Sequence, residues 1–136
     1  MNIEAIKPKI AQIAEKYGLD LVVLFGSQAT GKIHKESDID IAYTGDKKLS
    51  FDEEIKANSD LIDIFKRDDV QLVNIKKASP LLMKQIVDHA IILYEREKNI
   101  FNSIFVLAQR MFEDAKVLFD LRRHYLDYKL KEYKYA

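Results

Sequence analysis

Residues 25–43 read FGSQATGKIHKESDIDIAY, and their reading decides the fold. The run leading into them, Asp20-Leu21-Val22-Val23-Leu24-Phe25, is short, rich in branched residues and almost wholly apolar, as expected of a strand buried on both faces. Gly26-Ser27 ends it abruptly. Glycine lets a backbone approach a phosphate closely, and Ser27 adds a hydroxyl donor. Gln28 to Gly31 is predicted to form a short helical turn with N–H groups free for an anion, followed by a polar loop from Lys32 to Ser37. A second strand, Asp38 to Tyr43, comes next. Asp38 and Asp40 stand two residues apart, so both carboxylates project to one side of that strand. Like charges held that close call for a cation or a donor network, and hard oxygen ligands suit Mg²⁺. The competing reading is an exposed edge strand carrying solvated acids.

Working outward, Ile3, Ile6, Ile10, Ile13 and Tyr17 recur at helical spacing, which predicts an amphipathic helix over 2–17 stopped at Gly18. Ser50-Phe51-Asp52-Glu53 has the form of a capping box and opens a helix from about residue 51 to Phe65. Val70 to Ile75 alternates like a strand. Ser79-Pro80 sets an N-cap before a first-turn proline, predicting a helix from Pro80 to about Asp88, and Ile91 to Tyr94 reads as a short fourth strand. After Pro80 there is no glycine or proline, and Phe101, Ile104, Phe105, Ala108, Met111, Phe112, Ala115, Leu118 and Phe119 form an apolar stripe. A helix of roughly 40 residues would run about 60 Å, more than a small sheet domain can cover. Part of the stripe must meet something else: its own core, a second copy in a homodimer, or a dedicated partner. Glu95 to Asn99 is the one candidate boundary, dividing residues 1–95 from a helical extension over 96–136.

Composition narrows the function. In 136 residues, Lys plus Arg equal Asp plus Glu at 22 each, so no whole-molecule positive field draws the chain to long nucleic acids. The absence of cysteine excludes disulfides and thiolate metal sites and agrees with a reducing compartment, so a cytoplasmic protein is expected. The longest apolar runs, Leu21 to Phe25 and Ala90 to Leu93, fall far short of the ~20 residues that span a bilayer, and residues 1–10 lack the apolar core of a signal peptide. His34, His89 and His124 are isolated from one another and unsuited to joint metal ligation. Lys32 and Lys35 are candidate phosphate contacts or simply solvated lysines. Tyr125, Tyr128, Tyr133 and Tyr135 crowd the tail, where amphipathic rings suit an interface.

The block Gly26-Ser27-x10-Asp38-x-Asp40 resembles the signature of the polymerase-β-like nucleotidyltransferase superfamily. With VQLVNIKKASPLLMKQIVDHAIILYE downstream, residues 1–95 are similar to its minimal nucleotidyltransferases (MNT), and the long C-terminal helix fits the subgroup that acts as antitoxin to HEPN-domain ribonucleases. The resemblance implies an α/β (α+β) fold, a small mixed sheet flanked by helices. It further implies that Gly26 and Ser27 hold the triphosphate of ATP, and that Asp38 and Asp40 bind Mg²⁺. The activity implied is transfer of AMP from ATP to a tyrosine hydroxyl of a HEPN partner, with Ser27, Asp38 and Asp40 as the catalytic set. At one position the chain departs from the family, which has a third carboxylate where Gln71 stands in Val70-Gln71-Leu72-Val73. Glutamine can coordinate through its carbonyl oxygen but carries no charge and cannot act as a base. A weakened enzyme, an inactive one kept for binding, and replacement of the missing acid by Asp69 all remain compatible with the sequence. Transfer to a small molecule is a further alternative.

Overall fold

Four strands and four α-helices make up the computed structural model, which describes residues 2–26 and 38–134. Strand β1 (Leu19–Phe25) pairs antiparallel with β2 (Ile39–Gly45), and β2 pairs in parallel with β3 (Val70–Asn74). On the other side of β1 lies β4 (Ile91–Glu95), also antiparallel, giving the order β3-β2-β1-β4. Every residue of β1 is buried, as its unbroken apolar run requires of a central strand. Strand β2 is interior too, so it is not an edge of the sheet, although Asp38 just before it is exposed.

Helices cover both faces. Helix α1 (Ile3–Tyr17) starts at Asn2, whose side chain accepts from the Ala5 N–H at 3.4 Å, and stops at Gly18, which takes the left-handed φ of 67° that glycine tolerates. Helix α2 (Phe51–Phe65) has the expected reciprocal cap: the Glu53 N–H donates to Ser50 Oγ and the Ser50 N–H to Glu53 Oε1. These two helices pack on Val22, Leu24, Ile39, Ile41 and Tyr43 through Ile10, Ile13, Ala14 and Leu61. The opposite face, with Leu21, Val23, Phe25 and Ala42, is covered by α3 (Pro80–Asp88) through Met83, Ile86 and Val87, and by the first half of α4 (Ile100–Lys134). Alternation along β2 therefore puts Asp40, neighbour of Ala42, on the α3/α4 face.

Several boundaries differ from the sequence reading: α1 begins at Ile3, β1 at Leu19 rather than Asp20, β2 runs Ile39–Gly45 rather than Asp38–Tyr43 and so leaves Asp38 just outside it, and β4 reaches Glu95. Strand β3 stops at Asn74 because the Asn74 side chain accepts from the Lys76 N–H at 3.0 Å and turns Ile75–Lys77 into a 3-10 helix. Helix α4 begins five residues after Glu95, whose strand pairing with Leu21 leaves its carboxylate to accept from the Phe101 N–H at 2.8 Å. Asp20, buried near the start of β1, lies 3.1 Å from Arg96 Nη2; this is an ion pair by distance without hydrogen-bond alignment. No helix among the described residues is long and apolar enough to cross a membrane.

The extension behaves as its length demands. Ile100, Phe101, Ile104, Ala108 and Met111 pack on the sheet domain, and Gln109 Nε2 donates to Asp88 Oδ1 at 2.8 Å to fix α4 against α3. From Lys116 to Lys134 every residue is exposed. This free half is about 28 Å long.

Candidate nucleotide and metal site

The site lies where β1 ends and β2 and β3 begin. Register sets it: Phe25 opposes Asp40 across the β1–β2 pair, and Asp40 stands beside Gln71 across the β2–β3 pair. The Ile39 N–H donates to the Asp69 carbonyl at 2.9 Å and locks the two strand starts together. Asp38, two residues before Asp40, is exposed, while Asp40 is half-buried.

Gly26 has a φ of 77°, and a Cβ built there would overlap Asp40 Oδ2 and lie 3.3 Å from its Cγ. The backbone thus runs against the carboxylate, with no room for a side chain. Burial, and then the nearby Asp38 charge, push the Asp40 carboxyl above the ordinary aspartate value. A cation between Asp38 and Asp40 would relieve both penalties. The donor chemistry, two hard carboxylates beside a glycine turn, fits a Mg²⁺ carried by a phosphate ligand.

Gln71, beside Asp40 in the register, makes a contact of its own. Its Nε2 donates to Asp38 Oδ2 at 3.3 Å. Asp69, the other candidate acid, is engaged by Arg67: Arg67 Nε donates to Asp69 Oδ1 at 2.8 Å, and Arg67 Nη2 engages Oδ2. That fork holds the Asp69 carboxyl below the ordinary aspartate value. Among the described residues no three His, Cys, Asp or Glu side chains converge as a metal site.

Of the residues expected to act, Gly26, Asp38 and Asp40 are brought together, with Gln71 beside them. Ser27 lies outside the described residues, as do the helical turn over 28–31, Lys32, His34 and Lys35. His89 and His124 are exposed and far apart in the fold, on α3's C-cap and on the free half of α4. Sequence reasoning passed over Arg67; its spacing of two residues from Asp69, just ahead of a strand, was the available signal.

A mixed four-stranded sheet with a glycine turn facing a paired-aspartate strand defines a nucleotidyltransferase domain. The family model for polymerase β nucleotidyltransferases matches residues 8–99, and the chain belongs to that family. No curated protein sequence matches the chain. Among solved structures, it is similar to a chain of a toxin–antitoxin complex determined with AMP-PNP, with 26% identity over 91% of this chain and 98% of that one and a TM-score of 0.73. The fold is shared with a complex of tri-AMPylated Shewanella oneidensis HEPN toxin and MNT antitoxin, at 23% identity, a TM-score of 0.69 and coverage of 94% and 98%. The protein is thus a nucleotidyltransferase-fold chain similar to the MNT antitoxins of MNT–HEPN pairs.

Proposed function

We propose that this protein is an MNT-type antitoxin that binds ATP with Mg²⁺ at Gly26, Ser27, Asp38 and Asp40 and transfers AMP to a tyrosine hydroxyl of a HEPN ribonuclease toxin. The observation that carries it is the convergence of Gly26 and the Asp38/Asp40 pair at one strand end, in a chain whose likeness to toxin–antitoxin structures extends past the family domain into α4. In the reaction, the tyrosine oxygen bonds to the α-phosphorus and the bond from that phosphorus to the pyrophosphate bridging oxygen breaks. Pyrophosphate leaves, and the tyrosine proton passes to solvent. Bound Mg²⁺ supplies charge neutralisation at the triphosphate. The chain's own part is positioning: Asp38 and Asp40 fix the metal–nucleotide, and the glycine turn lets the phosphates come close.

The free half of α4 is the partner surface in this reading. Leu118, Leu121, Tyr125 and Tyr128 form one exposed stripe, and Phe119, Leu126, Leu130 and Tyr133 form another that continues the core-facing stripe of the first half. Isolated exposed apolar residues need no explanation, but two stripes on one projecting helix need covering surfaces.

Gln71 favours a second reading, neutralisation by binding alone, because it removes the acid that would complete the site and assist the acceptor hydroxyl. One experiment separates the two. Incubation with α-labelled ATP, Mg²⁺ and a HEPN toxin, sought first as the product of a neighbouring gene, is expected to place AMP on a toxin tyrosine, and Asp38→Ala and Asp40→Ala to abolish the label. Neutralisation of the toxin by the unlabelling double variant would establish the binding-only reading instead.

A further inference from the structure

The contact between Gln71 and Asp38 bears on how many cations the site can hold. Two-metal transfer sites place two divalent ions about 3.5–4 Å apart, and the protein must offset their mutual repulsion with anionic ligands. Among the described residues Asp38 and Asp40 are the carboxylates on hand, and the position beside Asp40 in the register is a neutral amide. That amide is turned so that its N–H, a donor, meets Asp38 Oδ2 at 3.3 Å; an amide N–H repels a cation and engages one of the two Asp38 oxygens.

The neighbouring charges point the same way. Asp69 is committed to the Arg67 fork. The Arg67 guanidinium is paired with Asp69 and also lies near enough to Asp38 to feel its charge. Among the described residues, a second divalent ion there would meet a donor N–H and no third converging carboxylate.

We infer that Gln71 replaces the second metal ion: its side-chain amide satisfies Asp38 as a cation otherwise would, and the site takes up a single divalent ion, delivered with the nucleotide. This rests on the nucleotidyltransferase reading above and deepens it. Gln71 is then a positioning residue, and the charge that would lower the acceptor tyrosine's pKa must come from the toxin side of the complex or be done without, which makes transfer slow relative to binding.

The test counts ions instead of turnover. Mn²⁺ bound per chain is measured by electron paramagnetic resonance during titration in the presence of saturating AMP-PNP, for wild type, Gln71→Asp, Gln71→Glu and Gln71→Leu. Wild type and Gln71→Leu are expected to hold about one Mn²⁺, and at least one of the acidic variants about two, with spin–spin broadening between close ions. Gln71 is exposed, so the variants keep the fold, and circular dichroism confirms it. Two ions in the wild type, or one ion in both acidic variants, overturns the inference while leaving nucleotide binding intact. Failure of every variant to bind AMP-PNP overturns the nucleotide reading, and this inference with it.

Discussion

Gly26 and Asp40 are the two residues whose contact gives the site its shape. An alanine at Gly26 would have to hold a φ of 77°, which costs about 1–2 kcal/mol for a residue with a Cβ. Its methyl would also push the Asp40 carboxylate from its place. Gly26→Ala is therefore expected to lower unfolding stability by about that amount in urea titrations and to weaken metal–nucleotide binding more than so small a loss explains. Unchanged nucleotide affinity in a folded Gly26→Ala protein would show that the carboxylate position does not matter. The sequence already displayed Gly26, Asp38 and Asp40 through their spacing, although Asp38 falls just ahead of β2 rather than within it. What it concealed is that Gln71 donates to Asp38 and that Arg67 captures Asp69. Both depend on which residues of two strands stand opposite each other, and register is set by distant packing as well as by local pattern.

At the scale of elements, caps and inter-helix pairs hold the scaffold behind the site. Ser50→Ala removes the capping hydroxyl of α2 and is expected to cost about 1 kcal/mol in chemical denaturation. Asp60 links α2 to α1 by accepting from Tyr17 Oη at 2.8 Å and from Lys16 Nζ at 3.2 Å. The Tyr17 hydroxyl, and then Lys16, hold its carboxyl below the ordinary aspartate value despite partial burial. A depressed carboxyl contributes stability above its unfolded pKa of about 3.9, and that contribution disappears as pH falls through the lower folded value. Asp60→Asn is accordingly expected to be less stable than wild type by about 0.5 kcal/mol at pH 7, a modest figure because the pair faces solvent. The gap should close below pH 4; a constant gap across that window would exclude the linkage. Element types were readable because periodicity and caps are local signals. Their ends were less so: β3 and α4 are bounded by the Asn74 and Glu95 side chains, whose hydrogen bonds compete with continued strand or helix.

Taken whole, the molecule is a four-stranded nucleotidyltransferase sheet from which half of a 35-residue helix projects. Helical periodicity announced the stripe on α4 without saying where the domain stops covering it, since that depends on the width of the sheet beneath. Deleting residues 116–136 removes only exposed turns and the two terminal residues, so the sheet domain is expected to melt within a few degrees of wild type while retention of the proposed HEPN partner in pull-down is lost. Leu121→Lys with Tyr125→Lys should reproduce the loss in the full chain, by about 100-fold in affinity. The central claim, that Gly26, Asp38 and Asp40 form a metal–nucleotide site, is tested most directly by calorimetric titration of AMP-PNP. Binding to wild type in Mg²⁺ is expected, with a loss of about 100-fold or more in Asp38→Asn/Asp40→Asn and a marked loss when Mg²⁺ is chelated. Equal affinity in the wild type and the double variant would contradict the account.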